Sequence, residues 1–178
     1  MDYGEAHFIR TKSLKQQLLV FKSERKLGFS YKFMKNTENQ YRCFGCYKLK
    51  KMRSVTVIDG RIVGKKHPED DHDERCEPFP QSAIDSLDID RDMRHSVRET
   101  GKRPRDAFSD AVSSISKKFK TSEEQEAVVV NFPSYPEVRR QLTRHRTAQH
   151  IAVPNPQNIP DELRKTLRGL CFMLSMAQ

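Results

Sequence analysis

Cys43 and Cys46 stand two residues apart in the stretch YRCFGCYKLKKMR, with Arg42, Lys48, Lys50, Lys51 and Arg53 around them. A two-residue gap lets two thiolates reach one ion from a tight turn, and a tetrahedral zinc site then needs two more ligands. Downstream, His67, His72 and Cys76 are the nearest candidates. Cys43 and Cys46 with His72 and Cys76 give C-x2-C…H-x3-C, with 25 residues between the pairs. His67 is the alternative to His72. Such a set fills all four positions, which makes a closed, structural site rather than a catalytic one. The competing reading is a pair of buried thiols beside solvated histidines, since redox motifs share the same spacing. A redox CxxC precedes a helix in an alternating α/β chain, however, and that pattern is absent here. The N-terminus MDYGEAHFIRTK lacks the apolar core of a signal peptide. The chain is therefore expected inside the cell, where cysteines serve metals or stay free. Cys171 is remote and is expected to be an inert thiol.

Elements of regular spacing surround these ligands. Leu14, Leu18, Leu19 and Phe21 form an apolar run too short to assign to helix or strand. Phe29, Tyr31 and Phe33 alternate with Ser30, Lys32 and Met34, the period of a half-buried strand. Asn36 to Asn39 reads as a turn, and Gln40 to Cys43 as a second strand. In RSVTVIDGRIVGKK, Asp59-Gly60 separates two β-branched runs and predicts a type I′ hairpin, whose two central residues need φ > 0. That turn sets Ile58 opposite Arg61 and Val57 opposite Ile62, with Val55, Val57 and Ile62 on one face. Residues 29–66 thus predict a four-stranded antiparallel meander in an α+β chain. The ion would tie the second strand to the chain leaving the fourth. A sheet this small would depend on it, since structural zinc supplies roughly 10–16 kcal/mol in peptides.

Beyond the hairpin, Ile84, Leu87 and Val97, then Phe108, Ala111, Val112, Ile115 and Phe119, suggest two amphipathic helices, the second starting near Pro104. Residues 120–131 read as a linker. Ser134 and Glu137 have capping-box spacing ahead of a helix with Arg139, Arg140, Arg144 and Arg146. The expected divisions are an N-terminal extension (1–18), a zinc unit (19–78), a helical segment (79–119), the disordered linker, and a basic helical connector with an apolar tail (132–178). The tail from Leu167 to Gln178 is expected to be poorly packed and dispensable for metal binding. With 35% hydrophobic residues, 32% charged residues and no Trp among 178, one large core is not expected to span the chain. No run approaches the ~20 apolar residues of a membrane span. The net charge of +9 is uneven: +11 over residues 1–66, −8 over 67–90 and +6 over 91–178.

In order, LLVF, FSYKFMK, YRCFGCYKLKK and VTVIDGRIVGKKHPEDDHDERC resemble the FLYWCH-type zinc finger over about residues 19–78. That family belongs to the WRKY/GCM-like zinc folds associated with mutator-type transposases. Tyr31 fills the place of its first-strand tyrosine and Cys43 that of its first ligand. The chain departs from the pattern in having Tyr41 for the expected Trp, a shorter cysteine gap and a His-x3-Cys ending. NFPSYPEVRRQLTRHR and IPDELRKTLRG look like the connector ahead of a transposase core. The resemblance implies Zn2+, double-stranded DNA as partner, a nuclear location and a recognition module without the catalytic core.

Lys32, Lys35, Arg42, Lys48, Lys50, Lys51 and Arg53 are the candidate nucleic-acid-binding residues, because basic side chains on a sheet edge neutralise phosphates. The bland reading is a solvated basic face. The second function considered is a zinc-stabilised protein–protein interaction module. It draws on the acidic segment 67–90, which repels phosphate, and on the helices at 82–119 as a partner surface. Enzymatic activity and a small-molecule substrate are not expected, because no nucleophile–base pair or phosphate-cradling glycine loop is present.

Overall fold

The computed structural model describes residues 1–150. The end of the basic connector, the apolar tail and Cys171 lie outside the described residues.

Eight short strands form one antiparallel sheet: β1 (Asp2–Glu5), β2 (His7–Arg10), β3 (Gln17–Lys22), β4 (Phe29–Lys35), β5 (Gln40–Cys43), β6 (Ser54–Ile58), β7 (Arg61–Val63) and β8 (Phe79–Pro80). Their order is β1-β7-β6-β5-β4-β3-β2, with β8 on β4. The outermost strands, β1 and β2, are consecutive in the chain and joined only by Ala6. The sheet must therefore curl until its two edges meet. Ala6 marks the seam, its amide donating to the Gly60 carbonyl at 2.7 Å.

This corrects the expected four strands. The segment taken as an extension supplies β1, β2 and the start of β3. β1 and β2 have four residues each, too few for alternation to show, and β1 pairs with a strand far along the chain. The hairpin follows its expected register, Ile58 opposite Arg61 and Val57 opposite Ile62. Asp59 and Gly60 have φ of 51° and 74°, as a type I′ turn requires.

Alternation puts one set of side chains inside the curl. Leu19, Phe33 and Cys43 lie in one row across β3, β4 and β5. With Phe21, Tyr41, Val55, Val57 and Ile62 they form the core, into which Cys46 and Cys76 also pack. The outer face of β2 and β3 offers Ile9 and Val20, which are buried with Ile84.

Ile84 belongs to α2 (Gln81–Thr100), the first of four long helices; α1 is the five-residue turn Phe44–Lys48. α2 ends at Gly101, whose φ of 65° stops the helix. Pro104 opens α3 (Pro104–Lys118), a place where its missing N–H is harmless. α4 (Ser122–Asn131) and α5 (Tyr135–His150) follow. Ile89, Met93 and Val97 of α2, Ala107, Ala111 and Ile115 of α3, Val128 of α4 and Val138 and Leu142 of α5 share a second core. The stretch expected to be a disordered linker is therefore mostly helix. Its sequence hid this because α4 buries one side chain, Val128, and so lacks an apolar stripe. Its signal is local instead: Thr121 and Glu124 form a reciprocal capping box.

Candidate metal centre

β5 delivers Cys43 to the sheet interior. The chain then tightens into α1, and Cys46 turns back beside it, fully buried. Gly45 between them is required by space: a Cβ there would lie 2.6 Å from the Cys76 sulfur. The other two ligands come from the irregular segment between β7 and β8. Arg53 clamps that segment, its Nε donating to the Asp70 carbonyl and its terminal nitrogen to the His67 carbonyl, both at 2.6 Å. Glu69 is buried and anchors it from the other side, accepting from Ser23 Oγ at 2.8 Å and the Glu24 amide at 2.6 Å. The acidic run is thus bolted to the β3–β4 connection.

The ligand atoms of Cys43, Cys46, His72 and Cys76 all lie within 4.8 Å of one another. Donors around a tetrahedral zinc at a radius of ~2.3 Å sit ~3.8 Å apart. The Cys43 and Cys76 sulfurs are 3.6 Å apart, and His72 Nδ1 is 3.3 Å from the Cys46 sulfur and 3.4 Å from that of Cys76. His72 Nε2 lies 2.9 Å from the Pro68 carbonyl, a bond that protonates Nε2 and leaves the Nδ1 lone pair facing the thiols. Its ring stacks on Tyr31 at 4.3 Å. The Asp73 amide donates to the Cys46 sulfur at 3.4 Å.

Electrostatics fit a cation here. Burial lowers the His72 pKa and so favours the neutral ring that a metal needs. Burial also pushes the Cys43 and Cys76 thiols up, and for Cys76 the nearness of Cys43 adds to the rise. Three thiolates packed this closely repel one another, and a divalent ion reverses that penalty. The donor set suits a metal ion such as zinc.

His67 stands apart. Its Nδ1 accepts from the Glu69 amide at 3.3 Å, its Nε2 is 3.3 Å from a Glu24 carboxylate oxygen, and its ring meets Tyr3 and Phe21 edge-on.

The basic residues divide. Lys35, Lys48, Lys50 and Lys51 are exposed, Lys51 with its Nζ donating to the His72 carbonyl at 2.9 Å. Arg42 is half-buried, its guanidinium 5.1 Å from the Tyr47 ring centre and donating to Asn36 Oδ1 at 2.5 Å. Lys32 is half-buried over Phe79, and Arg53 is consumed by its carbonyl bonds. Among the described residues, none of the seven pairs with a carboxylate, whereas Arg10, Arg25, Arg61, Lys66, Arg75, Arg94, Lys102, Arg103 and Lys118 all do.

Gly45, Arg53 as clamp, Tyr31 as stacking partner and Glu69 as anchor are residues whose roles sequence reasoning missed. Only Gly45 carried a signal, by lying inside the CxxC. No family model matches the chain, and neither does any curated protein or solved structure in the comparisons made.

Proposed function

We propose that this chain is a zinc-stabilised module that binds double-stranded DNA in the nucleus, without catalysis of its own. The observation that carries the reading is the run of cations that flanks the Cys3His group in the chain. Among the described residues, Lys35, Arg42, Lys48, Lys50 and Lys51 have no carboxylate partner, which leaves their charge available to phosphates. The FLYWCH-like order of residues supports the same partner and a transposon-derived origin. Zinc holds the knuckle in shape, and Lys35, Arg42, Lys48, Lys50 and Lys51 meet phosphates.

Metal analysis of the purified protein should find one zinc per chain. Duplex affinity should fall steeply with salt, with a log–log slope of roughly −0.9 per neutralised phosphate. Reversing Lys48 and Lys50 to Glu should flatten that slope while zinc content holds. Unchanged affinity and slope would favour a protein-interaction module instead. That second reading has its own support in Val112 of α3 and Val129 and Val130 of α4, apolar side chains left exposed on the helical unit.

A further inference from the structure

On the edge of β4 away from β3, β5 pairs with Phe33 to Lys35 and β8 with Phe29 and Ser30. Lys32 stands at the gap between them. Phe44, opening α1, and Phe79, in β8, flank it with ring centres 6.3 Å apart. Lys32 Nζ lies 3.4 Å from the Phe79 ring centre and 5.4 Å from that of Phe44. Lys48 Nζ lies 4.5 Å from the same Phe44 ring. Two ammonium groups therefore share one aromatic ring. Arg91 of α2, also half-buried and bonded to the Arg10 carbonyl, is near enough for its charge to act on Lys32.

No carboxylate pairs with Lys32, Lys48 or Arg91 among the described residues. Asp90 is engaged by Arg94 at 2.8 Å, and Asp88 faces Lys118 at 3.7 Å. Partial burial, together with the positive charges of Arg91 and Lys48, lowers the Lys32 pKa to about 8. A protein that gathers like charges at a half-buried place, with acids nearby committed elsewhere, has left a position for an anion.

We infer that Lys32 and Lys48, backed by Arg91, form a receptor for a phosphate group at the seam between the curled sheet and α2. A tetrahedral oxyanion suits three cations from three elements because it accepts hydrogen bonds in several directions at once. The two aromatic rings lower the polarity on one side of Lys32 and strengthen its contact with an anion. The source assigned here is a backbone phosphate of duplex DNA. For that source alone the inference rests on the function proposed above; free inorganic phosphate has the same chemistry. With DNA as the source, α2 becomes part of the binding surface, so the helical unit is oriented on the duplex.

Two measurements on the full zinc-loaded chain test this. In the first, the Lys32 side-chain NMR resonance is followed in wild-type protein during titration with inorganic phosphate and, separately, duplex DNA. Either ligand should move that resonance and raise its titration midpoint above that of the ligand-free protein. In the second, Lys32→Gln and Arg91→Gln should each flatten the salt slope of duplex binding by about one unit, with affinity lost equally across sequences. Zinc content and circular dichroism should be unchanged. A shift with inorganic phosphate and none with DNA supports the anion receptor and removes DNA as its source. If DNA binds but the Lys32 resonance stays fixed with both ligands, the receptor is overturned while the DNA reading stands. If DNA does not bind and phosphate moves nothing, both fall.

Discussion

The interior of the curled sheet holds three of the four metal ligands among its ten buried core residues, and the ring of the fourth stacks on Tyr31 at its rim. The nine buried residues of the helical core are all apolar and include no metal ligand. In the sheet, thiols occupy places where a larger protein would put Leu or Val. Its short strands are tied by an irregular segment that carries two ligands and has almost no apolar surface. Its cohesion would therefore depend on a bound ion. The helices instead rest mainly on apolar packing, with Val97, Ile115, Leu142, Val128 and Val138 essentially sealed from water beside the buried Asp90–Arg94 ion pair of α2. The two regions meet where Ile84 of α2 is buried with Ile9 and Val20.

Removing the metal should produce the largest effect and divide the molecule along that line. Chelation, or Cys43→Ser, should abolish zinc binding and unfold residues 1–80. The lost contribution is on the order of 10 kcal/mol. Most helical signal in circular dichroism should persist. Simultaneous loss of both would show that the two cores are one cooperative unit. His72→Ala should mimic the effect, whereas His67→Ala should retain zinc. Acid should act in the same direction. The folded His72 pKa lies below its ordinary value because of burial. The stability from that difference is present above the ordinary imidazole pKa and is lost as pH falls through the lowered folded value. Zinc release on acidification, followed with a chelating dye, checks this.

The reciprocal experiment is Leu142→Ala. It empties a fully buried site in the helical core and should cost roughly 2–5 kcal/mol. Denaturant unfolding of the helices should shift to lower midpoint, while zinc affinity stays within error. A drop in zinc affinity would mean that α2 transmits strain into the sheet.

Gly45→Ala should have a smaller effect confined to the sheet. The added methyl meets the Cys76 sulfur at 2.6 Å, so either the ligand or α1 must shift. Displacing one ligand in this way should cost roughly 10–100-fold in metal affinity, by analogy with losing a group that orients a ligand. Competition with a zinc-binding dye measures it. Wild-type affinity would mean that α1 accommodates the methyl by moving.

What was legible in the sequence follows from the range of each interaction. The Asp59-Gly60 turn and the Ser54–Val63 hairpin rest on neighbouring residues, so their register could be read directly. The Cys43 and Cys46 spacing is local in the same way. The preference for His72 over His67 also rested on a local spacing, three residues ahead of Cys76, and His72 is the histidine grouped with the cysteines; how Pro68, Arg53 and Glu69 fold the intervening loop could not be read. The closure of the sheet by β1 and β2 was hidden for the same reason. Four-residue strands carry little pattern, and their partners lie elsewhere in the chain. Glu69 looked like one solvated acid in a polar run, and only the approach of Ser23 and Glu24 gives it a buried role.

α4 supplies the mildest test, on the packed side of the comparison. It was expected to be a linker, and of its ten residues only Val128 is buried. One such side chain provides modest cohesion, so the start of the helix must matter. Thr121 Oγ1 accepts the Glu124 amide at 3.2 Å, and the Glu124 carboxylate accepts the Thr121 amide at 3.4 Å. Thr121→Ala removes the first bond and should cost about 1 kcal/mol. The loss should appear as faster amide exchange from Glu124 to Val128. Because Val128 joins the α2, α3 and α5 core, a small fall in the stability of the whole helical unit should accompany it. Zinc affinity should not change, since the cap touches nothing in the sheet. If exchange at Glu124 to Val128 is already fast in the wild type, α4 is held only by its neighbours, and the capping box contributes nothing measurable.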